Sequence, residues 1–227
     1  MNERPYKLIV IEGVDSSGKA TQSKLLKERL ISDGIKTESI EFPNYSSPGS
    51  ALVKMYLGGE FGSDPNSVSP YAASAFFAVD RVSSVKIAWK DLFLGDGVII
   101  ADRYTTSNMV HQASKIDDLK EKSDFLDWLY DFEYNKLELP EPDAVIFLDM
   151  PVENAKELMK NRANKIDNSD VKDIHESNDA YLQKSYDNAV FVANKYNWIT
   201  VHCTKDKKVR SLEDISDEIY SHIKKII

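Results

Sequence analysis

"KLIVIEGVDSSGKAT", residues 7–21, decides how the rest of the chain is read. Its first six residues are a short apolar run between charged ends, and with Tyr6 they read as a strand buried on both faces, 6–12. A glycine-rich turn follows and ends in Gly18-Lys19. Leu25, Leu26 and Leu30 then recur among charged residues at helical spacing over 19–33, and Gly34 stops that helix. Strand, glycine turn, lysine and helix are the context a phosphate-binding loop needs. Backbone amides and the helix N-terminus face the phosphate oxygens, glycines let the backbone come close, and the lysine brings a full charge to the β- and γ-phosphates. Gly13, Val14, Asp15, Ser16, Ser17, Gly18, Lys19, Ala20 and Thr21 are therefore the expected triphosphate cradle. The usual pattern places Ser or Thr after the lysine, where its hydroxyl reaches Mg²⁺, and Ala20 has none. Thr21 lies about 100° further round a helix and does not simply replace it. A water fills such a vacancy readily, because Mg²⁺ usually keeps several. A Gly/Ser turn with an incidental lysine is the other reading, and the strand and helix on either side count against it.

The remaining apolar runs alternate with amphipathic stretches. Strands are expected at 35–42, 97–102, 143–150 and 198–203, and helices at 50–59, 71–94, 123–137, 152–163, 178–196 and 212–226. Residues 61–70 carry the turn residues of a loop, and 164–176, "NKIDNSDVKDIHE", are polar without period. Such alternation implies crossover connections and a five-stranded parallel sheet flanked by helices in one α/β domain, 1–227. Ligands of such sheets bind beyond the carboxyl ends of the strands. That rule puts Gly13–Ala20, Phe42–Tyr45, Asp102–Asn108 and Asp149 on one rim.

A net charge of −8 argues against a general nucleic-acid binder, though a local cluster of donors still holds a small anion. The single cysteine, Cys203, excludes an internal disulfide and fits a reducing compartment; it reads as a small apolar residue closing a strand. No apolar run is long enough to span a membrane, and a cytoplasmic location is expected.

Asp102-Arg103 ends the strand "VIIAD". Alone, the pair reads as a helix N-cap with a surface arginine. Beside a phosphate loop, Asp102 stands where a carboxylate organises a metal, and Arg103 where a transferring phosphoryl group builds charge. "EGVDSSGKATQ", "FPNY", "FFAVDR", "DRYTTSN" and "DIHE", in this order and separation, resemble the thymidylate kinase family of P-loop nucleoside-monophosphate kinases, from residue 6 to about the end. The resemblance implies a three-layer P-loop kinase fold with a mobile lid at about 164–176, transfer from ATP to dTMP with Mg²⁺, and a homodimer.

It also implies residue roles. Asp15 holds the sugar and phosphate region of the acceptor, Phe77 stacks on thymine, and Arg81, on the same helical face four residues on, meets a thymine carbonyl. Phe76 beside Phe77 leaves open which of the two faces inward. Phe42, Pro43 and Tyr45 match the segment after the second strand, where Asn44 replaces an arginine frequent in the family. Ser107 and Asn108 match positions near the base. His111 replaces a tyrosine linked to preference for the deoxy sugar, which leaves discrimination against ribonucleotides open. The phosphate loop has Ser16 and Ser17 and no arginine, so Arg162, with Lys160 and Lys165 near it, is the candidate helper cation; a solvated basic helix end is the other reading. Glu176 matches an acid near the acceptor. Catalytic roles therefore fall to Lys19, Asp102, Arg103 and Arg162, and the metal to Asp102. Another nucleoside-monophosphate or deoxynucleoside kinase, or a binding protein that has lost catalysis at Ala20, are the alternatives on this fold. A GTPase switch would need a guanine-reading motif that the sequence does not offer.

Overall fold

The structure, a computed structural model, describes residues 4–159 and 179–227. Arg162, Glu176, Lys160, Lys165 and the expected lid at 164–176 lie outside the described residues. Five strands, β1 (Tyr6–Glu12), β2 (Thr37–Glu41), β3 (Gly97–Asp102), β4 (Ala144–Asp149) and β5 (Ile199–His202), form one parallel sheet in the order β2-β3-β1-β4-β5. The helices are α1 (Lys19–Ser32), α2 (Ala51–Leu57), α3 (Pro70–Ser83), α4 (Lys90–Leu94), α5 (Thr106–His111), α6 (Leu119–Tyr130), α7 (Val152–Met159), α8 (Asp179–Lys195) and α9 (Leu212–Ile223). None of the described helices is long and apolar enough to cross a membrane.

β1 is central, and its alternation shows why its apolar run is continuous. Ile9 and Ile11 meet Leu26 and Leu30 of α1 and the Ile215, Ile219, Ile223 stripe of α9. Leu8 and Val10 point the other way, into a core with Ile40, Phe42, Tyr104 and Leu139. With helices on both faces, the strand is buried on either side from Leu8 onward and only Lys7 meets water. In the β1–β3 ladder Ile11 pairs with Asp102, so Glu12 and Arg103 leave the sheet side by side, and the Arg103 amide donates to the Ile11 carbonyl at 3.2 Å.

Two long helices differ from expectation. Residues 71–94 are not one helix: α3 runs into a π-helical turn at Ser84–Ala88, the chain breaks at Trp89 with φ −121°, and α4 follows. The break turns Trp89 edge-on to Phe42. The helix expected at 123–137 begins earlier, because the Asp118 carboxylate caps the amides of Lys120 and Glu121, and it ends in a second π-helical segment, Asp131–Lys136. The sequence reading missed α5 and a short hairpin pairing Thr204–Lys205 with Lys208–Val209.

Candidate active site

The loop after β1 is built for close approach. A Cβ on Gly13 would sit 2.5 Å from Ser17 Oγ and 3.0 Å from the Leu148 carbonyl, and Gly18 enters α1 at φ 93°. No side chain caps the start of α1, and its first turn holds no acidic residue. Its leading amides and positive dipole end are thus left for an anion. The Ser17 hydroxyl is buried without a partner among the described residues.

Lys19 is folded back over this loop. Its buried ammonium donates to the carbonyls of Gly13 at 2.9 Å and Val14 at 2.7 Å. Burial lowers its pKa, the Arg103 charge lowers it further, and Asp15, Asp102 and Glu12 oppose both; the net value falls from 10.5 to about 8. The charged form is therefore penalised in the folded chain. That cost is full below pH 8 and disappears toward pH 10.5, so stability rises with pH across this window. A bound phosphate reverses the bias by favouring the ammonium. At pH 8.5, ATP binding is expected to draw in ~0.7 proton, given a free-state pKa of about 8. Calorimetry in buffers of different ionisation enthalpy measures it. Absent uptake at pH 8.5, or uptake that persists in Lys19→Met, contradicts this account.

Arg103 is the second fixed cation. It sits at φ 66°, a left-handed conformation rare for a side chain of this size. One amino group pairs with Asp15; the other lies 3.3 Å from Ser107 Oγ, 3.0 Å from His111 Nε2 and 3.6 Å from Glu12 Oε1. Because arginine keeps its protons, His111 Nε2 accepts that bond. Burial works against the Arg103 charge, but Asp15, Glu12 and Asp102 outweigh it and raise its pKa. Glu12, which sequence reasoning passed over, is fully buried. Its carboxylate accepts from the Gly13 amide at 2.9 Å, Thr106 at 2.8 Å and Ser107 at 2.7 Å. The signal was there: an acid ending a strand buried on both faces needs partners of this kind.

A cavity of about 370 Å³ joins these groups to the ends of β2 and β3 and to α3 and α5. Its lining comes from the phosphate loop and the start of α1 (Asp15, Ser16, Gly18, Lys19, Ala20 and Thr21), from the segment after β2 (Phe42, Pro43 and Tyr45), from α3 (Phe77 and Arg81), from the end of β3 (Asp102 and Arg103) and from α5 (Ser107, Asn108 and His111). Gly13, Val14 and Ser17 support the loop from behind and do not line the cavity. Phe77 faces the cavity, whereas Phe76 packs 5.5 Å from the Phe61 ring, which settles which of the pair turns away. Asn44 offers no charge to the cavity: its amide bonds Asp80 at 2.8 Å and its side chain Ser84 at 3.0 Å. Two further residues escaped the sequence reading. Gln112 lines the cavity, and both ends of its buried amide have no partner among the described residues. Glu133 is buried and grips Arg81 and Asn108.

Asp102 is 8% exposed, and its carboxylate makes no hydrogen bond or ion pair with a described side chain. A carboxylate that no described side chain occupies, lining the same cavity as Lys19, fits the hard oxygen donors that Mg²⁺ takes alongside phosphates and water. Among the described residues no group of three or more His, Cys, Asp or Glu is arranged to hold a metal alone. A metal here would depend on ligand phosphates.

The sequence model of the family described as thymidylate kinase matches residues 11–215. Thymidylate kinase of Mycobacterium tuberculosis is 33% identical over 178 residues, 78% of this chain and 80% of that protein. A probable thymidylate kinase of Methanocaldococcus jannaschii is 30% identical over 219 residues, 96% of each. The solved structure of thymidylate kinase from Candida albicans superposes with a TM-score of 0.71 over 97% of this chain and 92% of that one, at 23% identity, which bears on the fold alone.

Proposed function

The chain belongs to the thymidylate kinase family, and on that premise we propose how its residues transfer the γ-phosphoryl group of ATP to dTMP. The single observation that carries the reading is one cavity lined by two cations: Lys19 at an uncapped helix N-terminus, and Arg103 held between carboxylates. An oxygen of the dTMP phosphate attacks the γ-phosphorus, the bond to the β,γ-bridging oxygen breaks, and ADP leaves. That oxygen is already anionic, so no strong base is needed. The work is positioning and neutralising charge.

In this reading the loop amides and Lys19 hold the donor phosphates. Arg103 draws the acceptor phosphate toward them. Asp15 accepts from the sugar, Phe77 stacks on the base, and Arg81 with Asn108 meets its polar edge. Asp102 would hold Mg²⁺, which would neutralise charge on the phosphates. Arg162 and Glu176, outside the described residues, remain proposals from the family resemblance, as does a lid at 164–176. The described residues work as one kinase domain. A homodimer is the proposed assembly, with Val79 of α3, 51% exposed, on the face that a second copy would cover; a monomer in sedimentation would exclude it.

A coupled assay of ADP release with dTMP, dUMP, UMP and thymidine tests the function. Expected is Mg²⁺-dependent dTDP with dTMP as the preferred acceptor. Turnover of thymidine in place of dTMP would make it a nucleoside kinase. Calorimetric binding of ATP and dTMP without dTDP would make it a protein that has lost catalysis.

A further inference from the structure

We propose that Glu133 is a positioning residue that fixes which polar atoms the cavity offers to the base, and that it thereby selects thymine and uracil over cytosine. The inference rests on the dTMP-kinase reading above and deepens it. Glu133 lies on the π-helical segment after α6 and is fully buried. Its carboxylate, which can only accept, takes the Arg81 Nε proton at 2.7 Å and a second bond from Arg81 Nη2. It also takes the Asn108 amide nitrogen at 2.8 Å, and that nitrogen reaches the Ser74 carbonyl at 3.2 Å.

Both neighbours of the Asn108 nitrogen are acceptors, so the amide must turn its NH₂ toward them. The Asn108 Oδ1 is then what remains for a ligand. Arg81 spends its other amino group on the Tyr104 carbonyl at 3.3 Å and keeps unused N–H groups. Arg81 and Asn108 both line the cavity. The cavity therefore offers a fixed donor beside a fixed acceptor. Thymine and uracil present O4, an acceptor, beside N3–H, a donor, and match at both atoms. Cytosine presents an N4 amino donor beside an unprotonated N3 acceptor and clashes at both. A site built on such bonds rejects the wrong partner strongly, because its own buried groups are left unpaired.

A purely structural ion pair predicts something else: losing Glu133 would weaken all bases alike. The test is kcat/KM for dTMP and dCMP in the wild type, Glu133→Gln and Glu133→Asp, with unfolding curves for each. The wild type is expected to favour dTMP by at least ~100-fold. The Gln amide brings N–H groups toward Asn108 and lets its side chain turn over, so the dTMP/dCMP ratio should fall at least ~10-fold. Glu133→Asp still only accepts, so it should keep the ratio even where both rates drop.

An unchanged ratio in folded Glu133→Gln, or an equal collapse in Glu133→Asp, overturns the proposal. So does wild-type turnover of dCMP within about threefold of dTMP. If Glu133→Gln does not fold, Glu133→Asn set against Glu133→Asp carries the test: the ratio should fall in Glu133→Asn alone, and an equal ratio in the two overturns the proposal. If the wild type makes no dTDP, the kinase reading fails, and dissociation constants for dTMP and dCMP then carry the same ratio test.

Discussion

Lys19→Ala is expected to lower kcat/KM for dTDP formation by at least ~10²–10³, the loss typical when one charge-stabilising donor leaves a water-excluded site. The ammonium is the one full positive charge on the phosphate loop, and nothing else described on that loop replaces it. The fold should survive. In the free protein the ammonium is buried against two carbonyls and carries a pKa of about 8, so its charge works against folding at neutral pH. Its removal forfeits those two hydrogen bonds and relieves that penalty together. Unfolding midpoints near the wild-type value, measured at pH 7, should therefore accompany the collapse in rate. Preserved turnover would refute the assignment of the loop, and a collapsed midpoint would refute the account of Lys19 as a strained cation.

Much of this was legible because it is local. The run 6–12 followed by Gly13–Lys19 specifies strand, loop and helix within a short stretch, and the five strands emerged within about two residues of their ends. The rim rule then gathers most of the site residues into one cavity. Sheet order was not legible, since it depends on which crossovers pass over which strands. The turn at Ser84–Ala88 was hidden because a π-helical turn keeps the helical composition and changes only the phase.

Glu133 is the instructive miss. It stands four and eight residues after Leu129 and Phe125, both fully buried, so at helical spacing a carboxylate continues the apolar stripe that α6 begins. An acid at such a position must find a partner, and Arg81, itself an arginine on a helix face of small and apolar residues, was waiting for one. Neither residue alone specifies the other, so only their meeting in the structure reveals the pair. Arg162 and Glu176 remain legible in sequence alone.

Replacing Arg103 by Met should cost ~10²–10³ in kcat, measured at saturating ATP and dTMP, with a smaller change in the KM for ATP. On the proposed reading the donor phosphates are held by the loop amides and Lys19, which do not depend on Arg103 for a hydrogen bond. What should be lost is the charge proposed to approach the acceptor phosphate and balance the transferring group. Arg103→Lys should not restore the rate, because one ammonium cannot reach Asp15, Ser107 and His111 together as the guanidinium fork does. The Arg103→Met variant should still fold. Glu12, the most deeply buried acid of the cluster, keeps its bonds from Gly13, Thr106 and Ser107, and Asp15 keeps access to water. The left-handed backbone at position 103, of order 1–3 kcal/mol for such a residue, also loses the purpose that sustains it. An Arg103→Met enzyme with kcat within about threefold of the wild type would show that this cation lies outside the reaction. An Arg103→Lys enzyme at full rate would show that the charge matters and the fork does not.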